Sequence, residues 1–488
     1  MKGGVVGRAS SGAVSFIVLV TLVSATGVAW PQGDPSGGTG ALGADVDSLR
    51  AWIDRIHPHP YRVHSPEVFD AAAATLRARI DGLPPHVAAL ELQALLARVG
   101  DGHTEWTTLP ESVRGPGLPL FIRRFREGWF VTTGQVDHSA LFGRPIESIG
   151  GVPIEEVVRR LTRYVSADNA IGVLDEAGNL MRVARALDAI GIAVRPGEPL
   201  DFVVLDEGGA RHTVAVEVLE QVRFGSDWSD VEKFLNPEVP EPLFRGLDGN
   251  YACRYLPRER AVYLLFSEVR DEEDGPPIAE FFPRVLAFAE RSDADRLVLD
   301  IRENSGGNLD LNGPILRGII RSRFDRPGGL FVLIGNDTYS AAMHLAVTLE
   351  RLAHPIFVGV PTESRPNHWG DTRELTLPAS DIRVEISELY WQQSDPRDRR
   401  PWITPDVPVT PAMRDRLDGR DAALEAALDY RAPASIEATF GAPLSRWRRA
   451  NQLIEERWPE LLEPAARPVG LEAEPSPGHG PVLPCESG

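Results

Sequence analysis

From Ala261 onward, short and strongly apolar runs alternate with longer amphipathic stretches. That alternation confines the second half of the chain to βαβ units on a mostly parallel sheet. Val262-Tyr263-Leu264-Leu265-Phe266, Leu297-Val298-Leu299-Asp300-Ile301, Leu330-Phe331-Val332-Leu333-Ile334 and Ile356-Phe357-Val358 read as its strands. Helices are expected over 278–290, 309–321 and 340–352. In the first of them Ile278, Phe281, Phe282, Val285, Leu286 and Ala289 share one face, as a helix covering a sheet requires. The expected class is α/β, with the largest core in this region.

Upstream the pattern changes. Leu49, Trp52 and Ile53, then Phe69, Ala73, Leu76 and Ile80, then Leu90, Leu92, Leu95 and Leu96 recur at helical spacing, which predicts an N-terminal helical subdomain over 45–117. Over 118–220, short strands such as Trp129-Phe130-Val131-Thr132 and Phe202-Val203-Val204-Leu205 are separated by glycine-containing turns. Within that region Ser148-Ile149-Gly150-Gly151-Val152-Pro153-Ile154, followed by a helix to Tyr164, is similar to the strand, turn and helix of a PDZ-like module; residues 169–190 read as a helical insertion. A plain β-rich spacer and a peptide-binding PDZ-like module both fit. The sheet-forming core is expected over 221–430, a C-terminal helix over 431–464, and a disordered Pro- and Gly-rich tail over 465–488.

In residues 1–29, Lys2 and Arg8 precede an apolar stretch with small residues near its end, the pattern of an export signal. Residues 30–44 are expected to form a flexible linker. The expected location is secreted or periplasmic, with an uncleaved signal anchor as the route to a membrane. Seventy acidic against 51 basic side chains give a net charge of −19, which repels phosphate backbones and argues against a nucleic-acid partner. The histidines lack metal-ligand spacing, and phosphate-loop and dinucleotide fingerprints are missing, so neither metal nor cofactor is expected. Cys253 and Cys485 lie too far apart in sequence for a disulfide to be assigned.

Three segments carry candidate chemistry. Asp337-Thr338-Tyr339-Ser340-Ala341-Ala342 joins a strand to a helix, where free N–H groups and the helix dipole favour developing negative charge. Ser340 there is a candidate nucleophile; the alternative is that Ser340 or Thr338 only caps the helix. Asp300-Ile301-Arg302-Glu303-Asn304-Ser305-Gly306-Gly307-Asn308 places paired glycines after another strand, either as an oxyanion loop or as a tight turn. Gly100-Asp101-Gly102-His103-Thr104 offers a histidine in a turn, a base for a serine or a solvated side chain.

Taken in order with Val358-Gly359-Val360-Pro361-Thr362, these blocks resemble the signature blocks of the tail-specific and tricorn-core serine protease family over about residues 45–430. The resemblance implies a crotonase-like ββα-superhelix core behind a helical subdomain and a PDZ-like module. It implies Ser340 as nucleophile, with amides of Gly306 or Gly307 and of Ala341 forming the oxyanion hole. Tail-specific members use a lysine base, yet the segment 362–368 holds no lysine; the chain's lysines are Lys2 and Lys233, and Arg365 stays protonated. Tricorn-like members use a histidine from the helical subdomain, which assigns the base to His103.

Two positions depart from that pattern. Gly102 stands where the tricorn pattern has serine, and no acid is plainly placed before Pro405-Asp406. Asp398 is the nearest candidate for the orienting acid, against an ion pair with Arg399 or Arg400, and Glu388 is a poorer one. Asn367 and His368 sit where a loop lining the site is expected, as substrate-binding groups; for His368 the alternatives are a second base or a residue that shapes the loop.

The activity implied is that of an exported serine peptidase acting on unfolded or C-terminal polypeptide segments through an acyl-enzyme. A non-catalytic peptide- or small-ligand-binding protein and an envelope esterase or amidase are the competing classes.

Overall fold

The computed structural model describes residues 41–431. The export signal, most of the linker, the C-terminal helix, the tail and Cys485 lie outside the described residues. Among those described, no helix is long and apolar enough to cross a membrane.

The expected alternation is present as a six-stranded sheet in the order Val407–Pro408, Pro355–Gly359, Leu330–Ile334, Arg296–Asp300, Ala261–Phe266, Tyr251–Leu256. All neighbours are parallel except the last pair, in which Tyr251–Leu256 runs antiparallel to Ala261–Phe266. The central strands are uniformly apolar because both faces are covered. One face carries Val262, Leu264, Leu297, Leu299, Leu330 and Val332 against the helices Ile278–Arg291, Gly313–Arg321 and Ser340–Leu352. The other presents Tyr263, Val298, Phe331 and Leu333 to Leu424 and Ala427 of the helix Ala422–Asp429.

The helical subdomain comprises Gly43–Ile56, Pro66–Arg77 and Pro85–Ala97. Its first helix begins inside the expected linker because the buried Asp45 carboxylate accepts from the Ala379 and Ser380 N–H groups at 2.7 and 3.0 Å. Ser65 caps the second helix through Val68 N–H, with Pro66 at the first helical position.

The β-rich region holds an antiparallel sheet of Val152–Pro153, Ile146–Ile149, Pro199–Leu205 and Arg211–Glu217, and a second of Leu120–Phe125, Gly128–Gln135 and Trp228–Asp230. The last of these strands joins from beyond residue 220. The insertion forms the helices Ala170–Leu180 and Ala184–Ala189. Asn169 caps the first of them and also donates to the Thr362 and Pro401 carbonyls, at 3.1 and 2.7 Å, tying the insertion to the sheet-forming core.

One element differs from expectation. Residues 367–368 belong to a strand, Asn367–Thr376, that forms a hairpin with Arg383–Gln392. Glu105–Trp106 adds to the hairpin's outer edge, pairing Trp106 with Val384. The hairpin thereby reaches the turn that carries His103.

Candidate active site

The site lies beyond the carboxyl ends of two parallel strands, where ligands of open α/β sheets bind. After Leu330–Ile334 the chain turns sharply: the Thr338 hydroxyl accepts from Gly335 N–H at 2.9 Å and donates to the Ile301 carbonyl at 2.8 Å. Tyr339 N–H donates to the Asn304 carbonyl at 3.1 Å. Ser340 then opens the helix at φ 47°, a left-handed conformation that strains a residue with a side chain. The capping alternative does not hold. Thr338 is committed to the turn, and Tyr339, the N-cap residue, makes no side-chain cap bond.

His103 arrives from the helical subdomain. The buried Asp101 carboxylate accepts from His103 N–H at 3.0 Å and from the Thr104 hydroxyl at 2.6 Å, fixing the turn. Ser387 N–H of the hairpin donates to the Thr104 hydroxyl at 3.1 Å, and Gly102 N–H donates to Asp168 at 3.1 Å. His57 Nδ1 accepts from His59 N–H, so its Nε2 carries the hydrogen that faces Asp101 at 3.2 Å. Burial pushes the Asp101 carboxyl up, but the His57 hydrogen bond and the neighbouring His103 outweigh it and hold the group below the usual carboxylate range.

His103 Nε2 stands 3.1 Å from Ser340 Oγ. Its other ring nitrogen, Nδ1, meets the Tyr339 hydroxyl at 2.8 Å, and the two rings stack at 4.5 Å and 17°. Both ring nitrogens are therefore taken. His368 stacks behind His103 at 5.9 Å, with His344 edge-on to it at 4.9 Å. Burial lowers His368 and, with His368 beside it, brings His344 down to about 3, so neither adds charge at neutral pH. The carboxylates of Asp371 and Glu385 also feel His103.

The paired glycines wrap around the nucleophile. Gly306 has φ +108°, and a Cβ there would lie 2.7 Å from Ser340 Cβ and 2.9 Å from the Ala341 nitrogen. Its own N–H is used, donating to Asn304 Oδ1 at 2.9 Å, while the Asn304 amide donates to the Phe266 carbonyl at 2.8 Å. Among the described residues the N–H groups of Gly307 and Ala341 have no acceptor. The N–H groups left free at this loop and helix start are therefore those of Gly307 and Ala341, while Gly306 supplies the close approach.

Four expected placements need correction. Asp398 is not at His103: both its oxygens are engaged by Arg400, which also pairs with Glu350 at 2.7 Å, and the Ser394 hydroxyl donates to it at 2.6 Å. Glu388 pairs with Arg373. Asn367 is buried and holds the 394–398 loop, accepting from Ser394 N–H and donating to the Asp395 and Asp398 carbonyls, which commits its side-chain amide to the loop. His368 is buried, with Nδ1 on the Arg365 carbonyl at 3.0 Å, and packs behind the base.

Lys233 donates to the Val239 carbonyl at 3.3 Å. Arg365 donates to the Asp168 carbonyl at 2.7 Å; burial brings its guanidinium down to about 10, still charged at neutral pH. Among the described residues no group of His, Cys, Asp and Glu is arranged to hold a metal ion.

No known family's sequence profile matches the chain, and no curated protein matches it by sequence. Solved structures do. Mature CPAF in complex with lactacystin superposes with a TM-score of 0.58 at 12% identity, covering 79% of this chain and 96% of CPAF. A CPAF mutant gives a TM-score of 0.59 at 11% identity, with 80% and 98% covered. The photosystem II D1 C-terminal processing protease also aligns, at a TM-score of 0.37 and 16% identity over 79% of this chain and 99% of that one, too distant to support a residue-level argument. This chain has the fold of CPAF.

Proposed function

We propose that the chain is a serine peptidase of the tail-specific and tricorn-core type that hydrolyses peptide bonds through an acyl-enzyme on Ser340, with His103 as general base. The observation that carries the reading is the 3.1 Å contact between His103 Nε2 and Ser340 Oγ, two groups brought together across 237 positions of sequence.

In this scheme Nε2 takes the Oγ proton as the oxygen attacks the scissile carbonyl carbon. The carbonyl oxygen becomes an oxyanion between the Gly307 and Ala341 N–H groups, at the positive end of the Ser340–Leu352 helix. The imidazolium then gives its proton to the leaving amine nitrogen as the C–N bond breaks. Water repeats the sequence in reverse: His103 takes its proton, the hydroxide attacks the acyl carbon, and the proton returns to Ser340 Oγ as the acid product leaves.

Several finer parts belong to the same proposal. The six-stranded sheet with its helices is read as a crotonase-like core, and the sheet of Ile146–Ile149 and Pro199–Leu205 with its flanking helix as a PDZ-like module. The substrate is an unfolded or C-terminal polypeptide segment, because a site built jointly from the helical turn and the sheet core favours extended chains over folded ones. An exported location is proposed from residues 1–29 alone.

Fluorophosphonate labelling of the purified protein with peptide mapping tests the reading. Labelling at Ser340 that vanishes in Ser340→Ala and falls in His103→Ala is expected, together with turnover of peptides. Turnover of esters without peptides would move the substrate to small envelope molecules. An inert serine in a folded protein would favour the binding-protein class.

A further inference from the structure

For Ser340 to hand its proton to Nε2 of His103, that nitrogen must present a lone pair, so the ring proton must reside on Nδ1 and must have an acceptor there. The expected acid does not supply one. We infer that Tyr339 is the positioning residue of the base: its hydroxyl accepts the Nδ1–H hydrogen bond of His103, from the space that Gly102 leaves by having no side chain. This rests on the reading of Ser340 and His103 as nucleophile and base.

Two independent observations carry it. The Tyr339 hydroxyl lies 2.8 Å from Nδ1, while the stacked rings, 4.5 Å apart and 17° from parallel, hold the imidazole in the plane that also reaches Ser340. Separately, a Cβ built at Gly102 would lie 2.6 Å from that same hydroxyl oxygen and 3.3 Å from two ring carbons of Tyr339. The backbone of Gly102 is not left-handed, so nothing else in its local conformation demands glycine. The hydroxyl that the tricorn-like pattern places beside the histidine is thus delivered from the residue before the nucleophile. Gly102 and Tyr339 form one exchange.

The electrostatics fit an accepting phenol. Burial, then the negative charges of Asp168 and Asp101, hold the Tyr339 hydroxyl well above the usual tyrosine range, so it stays neutral. A neutral phenol keeps oxygen lone pairs, one of which can take Nδ1–H. Asp168 is fixed there by Gly102 N–H at 3.1 Å and Arg365 N–H at 3.4 Å. When His103 accepts the serine proton, its new positive charge meets this lone pair and the nearby Asp101 carboxylate.

Tyr339→Phe keeps the stacked ring and removes the hydroxyl. Selective ¹⁵N labelling of histidine reports the His103 tautomer directly, and fluorophosphonate acylation with ester turnover reports function. The wild type is expected to carry the ring proton on Nδ1, and Tyr339→Phe to move it toward Nε2. The turnover number should fall by about 10- to 100-fold, the usual cost of losing an orienting partner, with KM little changed. Gly102→Ser added to Tyr339→Phe should restore part of the rate, since its hydroxyl enters the vacated volume; in the wild-type background the same serine collides with the phenol and lowers the rate. Gly102→Ala, which displaces the hydroxyl while leaving Tyr339 in sequence, should shift the tautomer too and serves if Tyr339→Phe does not fold.

An unchanged tautomer in Tyr339→Phe, wild-type acylation in that variant, or a Gly102→Ser defect that is the same with and without the phenol would each overturn the inference. Should the wild type not label at Ser340, the peptidase reading fails, yet the ¹⁵N spectra still decide where the proton on His103 sits.

Discussion

Gly306→Ala is the sharpest test of how the nucleophile loop is built. The residue is held at φ +108°, and an added Cβ would lie 2.7 Å from Ser340 Cβ, 2.9 Å from the Ala341 nitrogen and 3.1 Å from the Tyr339 carbonyl oxygen. Two of these three are backbone atoms, which cannot swing aside as a flexible side chain would. Ordinary contact between carbons begins near 3.5 Å, so roughly 0.8 Å must open between the glycine loop and the elbow. A misplacement of about 1 Å at reacting groups costs on the order of 10²-fold in rate, and that is the loss expected in acylation. Strain of about 1–3 kcal/mol from a left-handed alanine is small enough for a domain of ordinary stability, about 5–15 kcal/mol, to remain folded.

The assay is the fluorophosphonate acylation rate, read beside circular dichroism and urea unfolding. Gly307→Ala serves as the contrast. Its Cβ would collide with the backbone carbonyl of Val269, which cannot swing aside, so its damage should appear first as lost stability. A folded Gly306→Ala protein that acylates at the wild-type rate would refute the claim that this glycine sets the distance between loop and nucleophile.

Two further outcomes follow from the charges. Asp398→Asn should destabilise the protein, toward the lower end of the roughly 3–5 kcal/mol lost when a buried ion pair is broken, because Glu350 still holds Arg400 at 2.7 Å; chemical denaturation measures this, and the surviving folded protein should show an unaltered His103 tautomer. Asp337 is pushed up to about 7, by burial first and then by the Asp175 charge. Its folded form therefore binds a proton that the unfolded chain has already released above the ordinary carboxylate value of about 3.9. Stability from this group is present at low pH and is lost as pH rises from about 4 toward 7, so Asp337→Asn should flatten that limb of the urea-midpoint profile.

How much of this was legible in the sequence depended on what each residue's signal is made of. The strands Arg296–Asp300 and Leu330–Ile334 announce themselves because a parallel strand covered on both faces must be apolar throughout. The hairpin strand Asn367–Thr376 gives no such signal. Polar residues dominate it, and its pairing with Arg383–Gln392 and its reach to Glu105–Trp106 are set by distant chain, so Asn367 and His368 read as loop residues when they are buried strand residues. Closeness to Pro405-Asp406 points to Asp398, yet a carboxylate two residues from Arg400 is claimed locally before it can serve a remote histidine.

The glycine pair carries its own local signal. Asparagine side chains commonly accept from the N–H two residues on, and Asn304 stands two before Gly306. That local bond, seen at 2.9 Å, removes Gly306 from the possible oxyanion donors and leaves Gly307. Gly102 is the harder case. In sequence it is a missing serine, which counts against an active site. In space the vacancy is filled by the Tyr339 hydroxyl, 2.6 Å from where a Cβ would stand, so the same absence is a condition of the site. A deviation at one position of a catalytic block therefore argues for decay only after the residues packed against it have been read. Here the packed residue is the one that precedes the nucleophile, and it brings a hydroxyl to the nitrogen that lacked one.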